Sequence, residues 1–173
     1  MLLKITGGVL IMAATSIWGW SAAEKLRNQY EQLRYLEKVI CMLRSEIRYA
    51  RSYLGEAFRQ IGRTAKSPYK EWLLNLDSRM EERNGIAFDR LWEECSRKYL
   101  KDAGLPKGAF EKLTAFGSQL GVADAGMQIK ILDLYLEEIR QTMEEHQEEM
   151  RTKMRLCHCL GVMSGIFITI LLC

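Results

Sequence analysis

Proline and histidine are almost missing from this sequence: Pro68 and Pro106 are the only prolines, His146 and His158 the only histidines. Scarce proline leaves long stretches that nothing breaks, and the abundant Leu, Glu, Arg, Lys, Met and Ala favour helix over strand. No segment alternates apolar and polar residues as a half-buried strand does. Scarce histidine leaves little for general base catalysis. There is no phosphate-cradling glycine loop, no Gly-x-Ser-x-Gly elbow and no Cys-x-x-Cys pair. The five cysteines, Cys41, Cys95, Cys157, Cys159 and Cys173, are odd in number, and three lie in or beside one apolar terminal segment. That is a poor disulfide framework. Cys41 and Cys95 fall at apolar helix positions and read as small hydrophobes in a reducing compartment. Cys157-His158-Cys159 does not close a tetrahedral metal site, because adjacent helical residues point in different directions. The expectation is a chain with no catalytic residues, no metal and no cofactor.

Charge of one sign is also lacking: the formal net charge is +3, and no basic stripe tracks nucleic-acid phosphates, so no nucleic acid is expected as a partner. Its distribution is uneven. Residues 24–70 hold 11 basic and 5 acidic side chains, whereas residues 114–155 hold 5 basic and 8 acidic ones. A basic first helix beside anionic headgroups and an acidic last helix fit this pattern, as does a basic docking face for an acidic protein.

Charge is wholly absent from Ile5 to Ala23, 19 residues that as helix reach about 28 Å, the thickness of a bilayer core. A second apolar segment, Leu156–Cys173, has His158 as its only ionisable group. The expected organisation is a transmembrane helix over 1–23, a helical domain over 24–155 and a second transmembrane helix over 156–173. A secretory signal peptide is the rival reading of the first segment, but Gly7, Gly8, Thr15, Ser16 and Gly19 interrupt what should be a leucine-rich core. Lys25 and Arg27 follow the first segment and Arg151, Lys153 and Arg155 precede the second, so the positive-inside rule puts the middle of the chain in the cytoplasm. Small residues recur at Thr15, Gly19 and Ala23, and at Cys157, Gly161, Gly165, Thr169 and Cys173. Such rows let helices approach closely in lipid, though small residues are also simply common in membrane helices. Packing of the two spans on each other or on a partner's spans is expected through Thr15, Gly19, Gly161, Gly165 and Thr169.

Within the middle, Leu26, Leu33, Ile40, Ile47 and Leu54 are spaced by seven, with Leu36, Leu43 and Ala50 between them, which predicts a long amphipathic helix. The stripe is expected to pack on helices of the same chain, with a coiled-coil dimer as the alternative. Ser52 is placed to cap a second helix that Gly62 would end. Ser67-Pro68 starts a third with Trp72, Leu73, Leu76 and Met80 inward, and Asn84-Gly85 stops it. A fourth holds Phe88, Leu91, Trp92, Cys95 and Tyr99. Gly104-Leu105-Pro106 separates it from a fifth with Phe110, Leu113, Phe116 and Leu120. Gly121 and Asp124 end that helix and cap the sixth. From Ala125 nothing breaks the pattern, which allows one rod of about 49 residues. Glu137, Glu138, Glu144, Glu145, Glu148 and Glu149 crowd one of its sides, and a solvated helix face is the expected reading of that run. A cation-dependent hydrolase site on this acidic helix, tested at Glu144, Glu145, Glu148 and Glu149, is the rival.

Several segments together resemble the stage III sporulation protein AB family, membrane proteins of endospore-forming bacteria related to the F platform protein of type II secretion systems. They are Glu46-Ile47 with Tyr49, Leu54-Gly55-Glu56-Ala57-Phe58, Phe116-Gly117 to Leu120-Gly121 with Asp124 and Gln128, and Leu160-Gly161-Val162. Tyr53 stands where that pattern has a proline, and Cys157-His158-Cys159 replaces a basic-aromatic approach to the membrane. The resemblance implies an all-α, six-helix F-type bundle flanked by N- and C-terminal transmembrane helices, in the mother-cell membrane that faces the forespore. It further implies a non-enzymatic platform that docks a hexameric secretion-type ATPase and contacts other membrane subunits of a channel-like apparatus. A membrane-tethered coiled-coil dimer acting as receptor or tether is the alternative. The docking surface is expected on the first helices and their turn, at Glu46, Arg48, Arg51, Glu56 and Arg59. Phe116, Leu120 and Gly121 are expected to join the fifth and sixth helices.

Overall fold

The computed structural model describes the backbone of residues 2–82, 85–121 and 123–172, and the side chains of residue 21 and of residues 24–82, 85–121 and 123–152. Among these residues there are six α-helices and no strand: α1 (Leu2–Ser45), α2 (Leu54–Thr64), α3 (Tyr69–Glu81), α4 (Phe88–Leu100), α5 (Lys107–Leu120) and α6 (Ala125–Leu172). A π-helical turn, Glu46–Ala50, finishes α1. The chain divides into two compact units, the bundle Gln29–Met143 and a second unit made of Met1–Asn28 with Glu144–Cys173. The bundle lies inside the expected 24–155 domain. The second unit consists of the start of α1 and the end of α6.

Apart from residue 21, the expected spans, 5–23 and 156–173, lie outside the residues whose side chains are described, and so do Thr15, Gly19, Gly161, Gly165 and Thr169. Among the described residues no helix is long and apolar enough to cross a membrane.

In the bundle the heptad stripe faces inward. Leu33, Leu36, Ile40 and Leu43 are at most 1% exposed and Ile47 is 3% exposed, and each such side chain contributes about 1.5–3 kcal/mol of burial. The stripe is used up within the chain, which removes the seam a coiled-coil dimer needs. Leu54, the last heptad position, belongs to α2. Helix α2 packs on α3, α3 on α4 and α4 on α5. Ion pairs tie α1 to α6: Glu37 with Arg140 at 2.9 Å and Arg44 with Asp133 at 2.7 Å. Seven residues forward on α1 meet seven residues back on α6, so the two run antiparallel.

Aromatic rings form a continuous path through the core. Tyr35 of α1 meets Tyr69 of α3 (centroids 5.0 Å apart), Trp72 meets Trp92 edge-on (5.0 Å), Trp92 meets Phe116 of α5 (5.7 Å), and Phe116 stacks on Tyr135 of α6 (4.5 Å). Phe58 of α2 also reaches Trp92 (6.0 Å). Such contacts add to area burial when the polar tips are satisfied. Trp92 Nε1 donates to the Leu113 carbonyl (2.8 Å) and Trp72 Nε1 to Ser96 Oγ (3.2 Å), while Tyr135 OH is buried with no hydrogen-bond partner among the described residues. Phe116 and Leu120 therefore sit in the core between α5 and α6 as expected. Gly121 instead faces α4, where a Cβ would meet Phe88 Cβ and Cγ at 2.8 Å.

Two helix boundaries differ from expectation. Ser52 does not cap α2: its Oγ donates back to Glu46 Oε2 (3.4 Å), and α2 begins after an extended Tyr53. Gly62 does not end α2, which runs on to Thr64. It is buried where a Cβ would meet Leu74 Cδ2 at 2.9 Å and Leu73 Cβ at 3.3 Å, so its missing side chain serves the approach of α3 rather than a C-cap. Asp124 does cap α6, its Oδ1 accepting the Met127 N–H at 2.7 Å.

Candidate docking surface

The junction of α1 and α2 departs most from regular geometry. Five residues, Glu46–Ala50, widen from α to π spacing, and Arg51 then takes a left-handed conformation with φ 54°. A non-glycine residue there carries a steric cost that the surroundings must hold in place. Here the Arg51 and Ser52 amides both donate to the Glu46 carbonyl, the latter at 3.3 Å, and Ile47 anchors the turn in the core. π turns inside helices recur at functional sites. The turn also decides what faces solvent: Arg48, Tyr49, Ala50, Arg51 and Tyr53 are all exposed, Tyr49 by 77% and Tyr53 by 87%. The Arg48 guanidinium lies 5.7 Å from the centroid of the Tyr49 ring, a cation–π contact. Tyr53 has φ −66° and ψ 154°, angles a proline also adopts, so the tyrosine preserves the path of the turn.

The five residues expected to dock a partner separate into two groups. Arg48 and Arg51 stand exposed on the turn, and Glu46 is half-buried beneath it, accepting from Ser52. Glu56 is exposed in the first turn of α2. Arg59 is half-buried and paired across to α3: Nε donates to Asp77 Oδ2 (2.8 Å), a second nitrogen reaches Asp77 Oδ1 (3.3 Å), and Glu81 completes the pair. The hydrogen bond from Arg59 to Asp77, reinforced by the Asp77 charge, holds the guanidinium above its ordinary value. Its role is to join α2 to α3. Asp77, only 7% exposed, was not anticipated, although its place beside Leu73, Leu76 and Met80 on the apolar face of α3 could have marked it as a buried carboxylate awaiting a cation.

Arg48 and Arg51 border a groove of about 670 Å³. Its walls come from three parts of the chain that the antiparallel helices bring to one end of the bundle: residues of the α1–α2 turn from Ile47 to Gly55, Met80 with Phe88, and Gly121 with residues of the first turns of α6. Ile47, Leu54, Met80, Phe88 and Ile129 supply apolar surface, and no acidic residue lines it. Sequence reasoning missed the contributions of Phe88, Gln128 and Ile129, which lie far from Arg51 in the chain and reach the groove only by folding. Among the described residues no group of three or more His, Cys, Asp or Glu side chains is placed to hold a metal ion.

Against known proteins, the model of the family described as stage III sporulation protein AB matches residues 4–173. The stage III sporulation protein AB of Bacillus subtilis (strain 168) is 25% identical over 171 residues, covering 99% of both chains. A solved structure of a stage III sporulation protein AB superimposes with a TM-score of 0.63 at 23% identity, covering 72% of this chain and 97% of that one, which supports the fold. With the family model matched over nearly its whole length, the chain belongs to the stage III sporulation protein AB family.

Proposed function

We propose that this chain is a non-enzymatic platform of a sporulation secretion-type apparatus, recruiting a hexameric secretion-type ATPase through the α1–α2 turn. The observation that carries the proposal is that turn itself. A π-helical stretch and a left-handed arginine hold Arg48, Tyr49, Arg51 and Tyr53 out of the bundle, and arginine with tyrosine is the composition of a binding hot spot. Family membership and the uncharged segments 5–23 and 156–173 support a two-pass protein in the mother-cell membrane facing the forespore. Lys25 and Arg27 after the first segment, with Arg151, Lys153 and Arg155 before the second, favour a cytoplasmic bundle. In this reading Thr15, Gly19, Gly161, Gly165 and Thr169 pack the spans on each other or on further membrane subunits.

The test uses the full chain in nanodiscs and the cognate ATPase, measured by calorimetry with and without nucleotide. Binding by the parent that Arg48→Glu with Arg51→Glu abolishes supports recruitment through the turn. An ATPase that does not bind the folded parent, or binds the double variant equally well, removes the proposal.

A further inference from the structure

The groove beside the turn carries more than a location for docking, because its chemistry restricts what can occupy it. Its floor is apolar, from Ile47, Leu54, Met80, Phe88 and Ile129. Its polar neutral groups are already engaged: Ser52 Oγ bonds Glu46, and Gln128 Nε2 donates to the Leu120 carbonyl at 3.2 Å. The charged side chains in the lining are both arginines. Arg48 is braced over Tyr49, and the Arg51 side chain has no hydrogen-bond or ion-pair partner among the described residues. Ala125 and Gly126, at the N-terminus of α6, lie on the same wall, where the Asp124 carboxylate accepts the Met127 amide and offsets the positive helix end. Further apolar surface stands uncovered nearby on the same segments, at Tyr49, Tyr53 and Met127, the last 54% exposed.

From this we infer that the groove receives an amphipathic helical segment of a protein partner, its apolar side chains on the Leu54–Phe88–Ile129 floor and its flanking carboxylates on Arg48 and Arg51. A helix suits a groove with an apolar floor and a charged rim, because it carries apolar and acidic side chains on adjoining faces. The bundle offers no strand edge among its described residues, so an extended peptide has no main chain to pair with and recognition runs through side chains, which a helix presents at spacings of three and four residues. The two arginines are the charged side chains of the lining, and the adjoining Glu46 and Asp124 carboxylates are engaged by Ser52 and the Met127 amide, so the groove favours carboxylates over basic segments. The inference deepens the proposed docking role and rests on the turn being the recruiting surface, but it specifies the chemistry of the partner segment independently of which protein carries it.

The experiment titrates a fluorescent peptide of about four helical turns, with leucines on one face flanked by glutamates, into the full chain in phosphatidylcholine nanodiscs. Control peptides exchange Glu for Lys or Leu for Ser. The acidic apolar peptide should bind, weaken with added salt, and lose about tenfold or more in affinity on Arg48→Glu with Arg51→Glu. Ala125→Trp fills the exposed rim without entering the core and should weaken it similarly. The Lys and Ser peptides should not compete. Equal binding of the Lys peptide, or acidic-peptide binding untouched by both variants, overturns the inference. Comparison with the ATPase measurement separates the two proposals. A peptide that binds as described while the ATPase does not leaves the groove chemistry standing and removes the motor as its partner. ATPase binding that Ala125→Trp leaves intact, with no peptide binding, leaves the platform standing and overturns the groove.

Discussion

Replacing Gly117 by alanine tests the packing of the core through a single methyl group. Gly117 is buried on α5, and a Cβ built there falls inside the Trp92 indole, overlapping Cδ1, Cγ and Nε1. To restore an ordinary carbon contact of about 3.5–4.0 Å the ring must retreat by more than about 1 Å. Trp92 is fully buried with Phe58, Trp72, Phe88 and Phe116 around it, so no side is open. Overpacking of this kind costs about 1–3 kcal/mol. Moving the indole also breaks its 2.8 Å bond to the Leu113 carbonyl, and a buried donor left unpaired costs a further ~1–3 kcal/mol. The better helix propensity of alanine returns about 1 kcal/mol. The net expectation is a destabilisation of about 3 kcal/mol, on the order of 10 °C in Tm. Gly108, on the same helix, is the internal control, because nothing lies within 4 Å of its added Cβ. Gly108→Ala should stabilise by a few tenths to about 1 kcal/mol. Urea unfolding of the bundle piece 29–143, followed by circular dichroism and tryptophan fluorescence, reads both. That piece is the compact unit Gln29–Met143. If Gly117→Ala shifts stability by less than about 0.5 kcal/mol, or both substitutions move it in the same direction, the close α4–α5 approach is not as described.

Three further outcomes are expected. Burial pushes the phenols of Tyr69 and Tyr135 well above their usual range. Both stay protonated in the fold while the unfolded chain ionises near pH 10, so stability is constant below that pH and falls above it, by about 1.4 kcal/mol per pH unit for each phenol. Alkaline denaturation of the bundle piece should show this fall, and Tyr69→Phe with Tyr135→Phe should flatten it. Arg51→Gly relieves the left-handed residue and should raise stability by up to about 1 kcal/mol while weakening partner binding; urea unfolding and calorimetry on the same variant check both, and a destabilised variant argues against the strain. Burial raises the Cys95 thiol above its ordinary value, and with the thiol itself buried, labelling by a thiol reagent should occur at Cys95 only as fast as the bundle opens, so its rate should rise with urea.

The order of the six helices was legible because each start and stop is a local choice. Gly104-Leu105-Pro106 stops the helical pattern by backbone chemistry alone, Asp124 reaches an amide three residues on, and the heptad stripe of α1 buries itself wherever a core forms. Family membership was legible for the same reason, since it rests on short segments in a fixed order. Sequence position alone did not reveal the use of a side chain whose partner is distant in the chain. Arg59 read as a free docking residue until α3 brought Asp77 and Glu81 against it. Gly62 read as a helix end until α3 showed why it lacks a side chain. Ser52 read as a cap until the π turn carried it back to Glu46. The groove is built from segments near residues 50, 85 and 125. What the sequence by itself determined is the set of helices and the faces they bury, because backbone preference and hydrophobic period act over one or two turns. What the tertiary structure decided is which exposed residues remain available and what surface they border, because that depends on which helix ends the antiparallel packing places together.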